Sequence, residues 1–391
     1  MNNQLSIYIH YPFCQAKCPY CDFNSHVKRN IDEKRFLQGY LREIEYFAGR
    51  IKNKKIKTIF FGGGTPSLMS ANMVDQIINQ IGKFWDISDD VEITLEANPG
   101  SFEVGKFIDF KKSGINRLSL GIQALNNEDL QFLGRVHDVK EALFAIKKGR
   151  EIFDNFSFDL IYGRPNQDLD KWQNELDEAI GFGSDHLSLY QLTIEKGTQF
   201  FGDVKRGKFV MHEADVQAQF YEMTNKICYL NGFNDYEISN YAKKGFESRH
   251  NLTYWQSNDY IGIGAGAHSR VYFDDEEQKR ALMMIHEPQK WLEGVEKSSN
   301  GLQQNYLIDE KDLLEEVLIM GLRLKDGIGN EVFLRHFGKN IGEIFDLEKF
   351  GHLKELLLID DDRIVAVGNG KNLLNSLICA VLEVGSSVVS R

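Results

Sequence analysis

Tyr8-Ile-His-Tyr-Pro-Phe-Cys-Gln-Ala-Lys-Cys-Pro-Tyr-Cys21 holds three of the chain's five cysteines, Cys14, Cys18 and Cys21, at C-x3-C-x2-C spacing. The other two, Cys228 and Cys379, stand alone and far away. A disulfide within the trio would strand one thiol. A structural zinc site needs a fourth ligand and normally shows two paired knuckles, and only His26 or Asp22 stands near. Three thiolates on a tight loop suit a [4Fe–4S] cluster with one iron left without a protein ligand, and such an iron is a binding position. The spacing points to the cluster, with zinc as the competing occupant.

Outward from this stretch, six β-branched and aromatic runs are expected as strands: Leu5–His10, Ile56–Phe61, Val91–Glu96, Arg117–Gln123, Phe156–Tyr162 and His186–Leu192. Amphipathic helical patterns lie between them, among them Asp32–Lys52, Ser70–Trp85, Lys140–Phe153 and Leu169–Phe182. Alternating strands and helices imply right-handed crossovers and a parallel sheet. Six units fit an α/β fold of the partial (β/α)6 TIM-like barrel kind; an open doubly wound sheet is the alternative. Either way the functional loops follow the C-terminal strand ends.

The polar and Gly-rich motifs fall at those ends. The cysteines follow the first strand. Gly62-Gly63-Gly64-Thr65-Pro66 follows the second, where glycines let a ligand approach the backbone. A phosphate-binding P-loop is not indicated, because no Gly-Lys-Ser/Thr follows. The third strand ends in Glu96-Ala-Asn98-Pro99 and the fourth in Gly121-Ile-Gln123, with Arg135-Val-His137-Asp138 shortly after. The fifth holds Asp159 in Phe158-Asp-Leu-Ile-Tyr-Gly163. Each residue alone could be a surface or capping group. Together they imply one shared site at the barrel mouth.

The cysteine spacing with Tyr20 before the last Cys resembles the signature of radical S-adenosylmethionine (SAM) proteins. The resemblance implies that the open iron chelates S-adenosylmethionine and that the reduced cluster cleaves it to a 5′-deoxyadenosyl radical. The ordered set of motifs over roughly residues 5–270 is similar to the oxygen-independent coproporphyrinogen III oxidase (HemN) group. By that resemblance Tyr8, Gly63 and Glu96 would contact the cluster-bound S-adenosylmethionine. Tyr20, Gly64, Thr65, Gln123, Arg135 and Asp159 would line that pocket or a second S-adenosylmethionine. Arg164 replaces the group's usual small apolar residue in Gly-x-Pro.

Two departures point away from the oxidase. Phe23 stands where the oxidase has a further cysteine, and this chain begins almost at its first strand, without the oxidase's long N-terminal extension. Both are expected of the haem-binding chaperone branch of the group, which hands haem to acceptor proteins such as respiratory enzymes. Oxidative decarboxylation of coproporphyrinogen III is the alternative, and a radical methyltransferase a third. Arg249-His250-Asn251-Leu-Thr-Tyr254-Trp255 sets a histidine beside two aromatics, which suits an iron porphyrin. Taken alone, His250 reads as a hydrogen-bonded structural histidine; the resemblance makes it the expected haem ligand. His268, in the Gly-rich strand pattern Ile261–Ser269, is its rival or faces the S-adenosylmethionine site.

The organisation expected is a barrel over 1–245, a haem-motif extension and connection over 246–305, and a C-terminal winged-helix-like α+β domain over 306–391. Tyr236–Asn240 reads as a short strand, and Glu276–Asn305 as a connection. Asp309–Leu324 and Asn330–Phe337 read as helices, Leu356–Ile359 and Arg363–Val367 as a hairpin, and Leu373–Leu382 as a closing helix. Cys228 and Cys379 read as small core residues. Lys+Arg 46 against Asp+Glu 57 gives −11, and Asp360-Asp-Asp362 marks the hairpin tip, so no nucleic-acid partner is expected. No apolar run reaches membrane-spanning length and no secretory leader pattern opens the chain. With a clustered thiol trio, this implies a reducing, cytoplasmic setting with at most peripheral membrane contact.

Overall fold

The structure, a computed structural model, describes residues 3–389, the side chains at 101, 102 and 384–389 excepted. Its centre is six parallel strands: β1 Gln4–Tyr11, β2 Lys55–Gly63, β3 Asp86–Ala97, β4 Arg117–Gln123, β5 Asn155–Tyr162 and β6 His186–Gln191. The crossovers include α1 Glu33–Ala48, α2 Ala71–Phe84, α3 Val139–Ile152 and α4 Leu169–Gly181. Local sequence starts these helices. Side chains of Asp32, Ser70 and Asp168 accept from the third residue onward, and Asp138 and Glu141 form a reciprocal capping box.

The two faces of these strands differ in kind. Ile7, Ile9, Ile59, Phe61, Leu118, Leu120, Phe158 and Leu189 point outward into the apolar layer beneath the helices. The alternate residues Tyr8, Glu96, Arg117, Ser119, Gln123, Asp159 and Ser188 point inward and line cavities. Parallel strands covered on both sides are normally apolar on both. Here the inner face is polar, so the lumen is a place for ligands rather than a packed core.

The sheet extends beyond the six strands at both edges. After α5 Ala214–Leu230, β7 Asn234–Asp235 and β8 Asn240–Ala242 add antiparallel strands beyond β6. At the other edge stand β9 Tyr260–Ile263, β10 His268–Val271, β11 Arg280–Met284 and β12 Leu302–Leu307. Of these, β9 pairs parallel with β1, and the rest continue antiparallel. Helix α6 Arg249–Trp255 precedes β9, and α7 Pro288–Ser298 lies between β11 and β12.

Several local expectations change. The strand expected over Tyr236–Asn240 begins only at Asn240, because the Glu237 carboxylate accepts from Ser239 N (2.8 Å) and bends the chain before it. The Gly-rich pattern Ile261–Ser269 is two strands, not one. They are joined by a turn in which Gly264 (φ +106°) and Gly266 (φ +78°) take backbone conformations open to glycine. Residues 276–305 are no connection. They supply two strands and a helix whose Trp291, Leu292 and Val295 are fully buried against α1. Burying Leu292 and Val295 is worth roughly 1.5–3 kcal/mol each.

One carboxyl ties this addition to the barrel. Glu43 on α1 is fully buried and accepts from Gly264 N (2.8 Å), Gly301 N (2.8 Å) and Trp291 Nε1 (3.0 Å). Burial lifts its pKa to about 7 against those three donors.

The C-terminal part is helical with a hairpin, as expected: α8 Glu310–Gly321, α9 Asn330–Phe337, then β13 Ile328–Gly329, β14 Leu357–Ile359 and β15 Arg363–Ala366 as one small sheet, closed by α10 Leu374–Val389. A second apolar core, with Val317, Leu318, Phe333, Ile341 and Ile364, holds it. Cys228 is buried in α5, but Cys379, expected in the core, is exposed because it lies on the outer side of α10.

Candidate functional site

Cys14, Cys18 and Cys21 follow β1 and line one cavity of about 440 Å³ at the C-terminal strand ends. The same wall carries Tyr20, Gly63, Gly64, Thr65, Glu96, Gln123, Arg135 and Asp159. Asn98, named in its strand-end motif without a role, lines it too, and sequence reasoning missed Ser119 and Tyr190. The inward alternation in Arg117-Leu-Ser-Leu-Gly-Ile-Gln123 was the signal for Ser119.

The three thiols are free of disulfides, and each meets a donor or hydroxyl: Thr65 Oγ1 on Cys14 Sγ (3.4 Å), Arg135 Nη1 on Cys18 Sγ (3.4 Å), Ser25 Oγ beside Cys21 Sγ (3.8 Å). Burial pushes the Cys14 thiol up, with the neighbouring thiols adding to the rise and Thr65 opposing it. Among the described residues no three His, Cys, Asp or Glu side chains converge as ligands of a single ion. Three thiols around one cavity instead match a multi-iron cluster, in which each sulfur takes its own iron.

The glycines answer to the chain itself as well as to the cavity. Gly63 has φ +113°, and a Cβ there would collide with the His10 ring; one on Gly64 would meet Phe13 O at 2.6 Å. Gly63 N donates to Glu96 Oε2 (3.2 Å), aiming that carboxyl across the mouth. Burial lifts Glu96 to about 8, helped by the charge of Asp159. Burial lifts Asp159 to about 6, opposed by Ser188 and Ser119 and by the charges of Arg117 and Arg135. The residual exposure of both carboxyls is to the lumen.

Gln123 holds φ +74°, unusual for a side-chain-bearing residue, and its Oε1 is buried without a partner, as is Arg135 Nε. Unpaired polar atoms on a cavity wall are groups that await a ligand. Three free thiols, two carboxyls and these atoms fit a [4Fe–4S] cluster with S-adenosylmethionine beside it. Cys14, Cys18 and Cys21 would hold the cluster and the carboxyl-bearing wall the S-adenosylmethionine, and the pair would supply one-electron chemistry there.

Three expected residues lie elsewhere. Tyr8 faces a second, inner chamber of about 280 Å³ with Phe60, Arg117, His250, Asn251 and Tyr254, sharing only Glu96, Ser119, Asp159 and Tyr190 with the thiol cavity. Its hydroxyl is hydrogen-bonded to His10 Nδ1 (3.0 Å). His250, expected as haem ligand, is turned inward: Nδ1 bonds Thr58 Oγ1 (2.7 Å) and Nε2 the Tyr254 hydroxyl (2.7 Å), while the ring stacks on Phe60. Burial holds it neutral, with pKa about 3. Glu92 fixes the start of α6 by accepting from Arg249 N and His250 N (3.1 and 3.0 Å), so this helix floors the lumen. His268 is exposed, its ring 6.4 Å from that of His286, outside both cavities.

Arg164 is also outside the site. It is buried, paired with Glu175 and with Asp129 (3.0 Å), and donates to Ile161 O (2.8 Å), so its effect is on the β5–α4 loop. Asn24, after the thiols, donates to Ala265 O and His286 O (2.9 Å each), and its carbonyl meets His10 Nε2 (2.9 Å). It pins the thiol loop to the turn between β9 and β10.

Comparison with known proteins agrees with this arrangement. Residues 8–179 match the radical SAM superfamily model and 308–370 the HemN C-terminal domain model. Heme chaperone HemW of Haemophilus influenzae is 35% identical over 96% of this chain and 97% of its own. HemW of Escherichia coli is 39% identical over 74% and 76%. Radical S-adenosyl methionine domain-containing protein 1, mitochondrial, of Danio rerio is 34% identical over 97% and 87%. The coproporphyrinogen III oxidase (HemN) structure from Escherichia coli superposes with TM-score 0.80 over 97% of this chain and 90% of its own at 20% identity, a likeness of fold. The chain belongs to the radical SAM superfamily and, within it, to the HemW family.

Proposed function

We propose that this protein is a haem chaperone: it carries a [4Fe–4S] cluster on Cys14, Cys18 and Cys21 with S-adenosylmethionine at the open iron, binds haem, and passes it to acceptor proteins such as respiratory enzymes. The observation that carries the choice over decarboxylation is Phe23. Its ring lines the mouth of the thiol cavity and is 65% exposed, where the oxidase group has a cysteine. An apolar ring at that point offers packing to a flat macrocycle and no proton or electron transfer. Decarboxylation asks for more, since a radical must meet one propionate carbon at near-contact distance.

For the haem iron we favour His268 over His250, since His268 is exposed beside His286 and His250 has both nitrogens engaged. No helix among the described residues is long and apolar enough to cross a membrane. The proposed setting is cytoplasmic, with at most peripheral membrane contact, as the clustered thiol trio suggests. The acidic net charge of −11 speaks against a nucleic-acid partner. The test is to incubate the anaerobically reconstituted protein, reduced and with S-adenosylmethionine, separately with haem and with coproporphyrinogen III. Stoichiometric haem binding and no protoporphyrinogen is the expected result; catalytic protoporphyrinogen formation overturns the chaperone reading.

A further inference from the structure

Two of the cluster thiols are joined by a continuous line of hydrogen bonds that runs through a residue with no assigned role. Arg135 Nη1 donates to Cys18 Sγ (3.4 Å) and Nη2 to Asn98 Oδ1 (2.6 Å). Asn98 Nδ2 donates to Thr65 Oγ1 (3.1 Å), and Thr65 Oγ1 donates to Cys14 Sγ (3.4 Å). Asn98 is itself held, its N–H reaching Ser67 Oγ at 3.4 Å, and Gly121 O takes a second bond from Arg135 Nη2 (2.8 Å). Cys21 stands outside this line, with only Ser25 Oγ at 3.8 Å.

The chemistry of the middle residue is specific. The amide oxygen of Asn98 accepts from a guanidinium while its NH₂ group donates to a hydroxyl. Because Thr65 receives that bond, its single proton is free for the Cys14 sulfur. A carboxylate at 98 could still accept from Arg135 but could not donate, and Thr65 would turn its proton to the carboxylate. The guanidinium of Arg135 is a permanently charged donor, so its bond to Cys18 Sγ is charge-assisted.

We propose that Asn98 is a positioning residue that holds Arg135 and Thr65 as hydrogen-bond donors to the Cys18 and Cys14 sulfurs and thereby sets how readily the cluster accepts an electron. The inference rests on the cluster reading above. One electron from a low-potential one-electron donor enters the cluster and no bond is broken. The added negative charge is shared with the ligand sulfurs, where charge-assisted donors stabilise it. Metal-site partners one shell out commonly tune a centre in this way.

The test is a redox titration with titanium(III) citrate, followed by electron paramagnetic resonance, on reconstituted wild type, Asn98→Asp, Asn98→Ala, Thr65→Val and Thr65→Ser, with iron and sulfide assayed separately. Asn98→Asp and Thr65→Val should load the full cluster but reduce at a lower potential. The expected shift is about tenfold in the reduction equilibrium, or about 59 mV for one electron. Thr65→Ser, which keeps the donor, should retain the wild-type midpoint. Should Asn98→Ala not keep its cluster, Thr65→Val, which removes one donor alone, carries the same test. Fully loaded variants with the wild-type midpoint overturn this proposal and leave the cluster in place. A wild type that takes up no iron overturns the cluster reading, and this proposal with it.

Discussion

His250 Nε2 and the Tyr254 hydroxyl lie 2.7 Å apart inside the barrel, one helical turn from each other on α6. With Thr58 on its other nitrogen, the imidazole is a fastener of the lumen floor. His250→Ala should therefore act on stability, leaving two buried hydroxyls short of a partner at about 1–3 kcal/mol. The haem absorption spectrum should survive it and change instead in His268→Ala. A spectrum lost in a folded His250→Ala protein would return haem to the α6 motif.

Cys14, Cys18 and Cys21 should each be required for about four irons and four sulfides per chain. Buried Cys228 and exposed Cys379 should be replaceable by serine or alanine with iron content unchanged. Tightly held zinc after anaerobic purification, with no iron taken up on reconstitution, would decide for the other metal.

Burial sets the titration of Glu96 at about pH 8, so its carboxylate form, the stronger acceptor, grows as pH rises through that value. Affinity for S-adenosylmethionine should tighten between pH 7 and pH 9, a window above the titration of Asp159 near 6. Glu96→Gln should bind about ten- to a hundredfold more weakly at pH 9, the loss of one charge-assisted bond of roughly 1.5–3 kcal/mol, and with no such pH slope. Calorimetric titration at several pH values reads both; an unchanged Gln variant removes Glu96 from the site.

Arg164→Ala should cost about 3–5 kcal/mol, because it leaves the buried Glu175 carboxylate without its cation. Denaturant unfolding measures this, and cluster content in the folded fraction should stay at the wild-type level. A loss below about 1 kcal/mol would mean that the Gln167 and Leu125 donors to Glu175 suffice alone.

The parts of the fold made by near neighbours were plain in the sequence. Arg117–Gln123 matches β4 residue for residue, and the helical patterns Ser70–Trp85 and Leu169–Phe182 fall on α2 and α4. The thiol cavity was legible because each of its walls is a short motif at a strand end. What escaped depends on distant partners. Trp291 is core because Glu43 receives its indole N–H across 248 positions. His250, which its own residues gave as a hydrogen-bonded structural histidine and the resemblance as a haem ligand, is engaged by Thr58 and Glu92 on strands laid down far earlier. Arg164 had only its departure from the Gly-x-Pro pattern to mark it, and its partner Glu175 lies a turn into the next helix.

Asn24 gives the chain a timetable. The loop bearing Cys21 is synthesised long before its anchors, the carbonyls of Ala265 and His286. At translation rates of about 5–20 residues per second, roughly 13–52 s pass between Asn24 and His286 leaving the ribosome's catalytic centre. Until then β1 also lacks β9, its neighbour on one side. Nascent chains should hold the three thiols on an unanchored loop throughout that interval, and iron and sulfide have their finished seat only once His286 has been made.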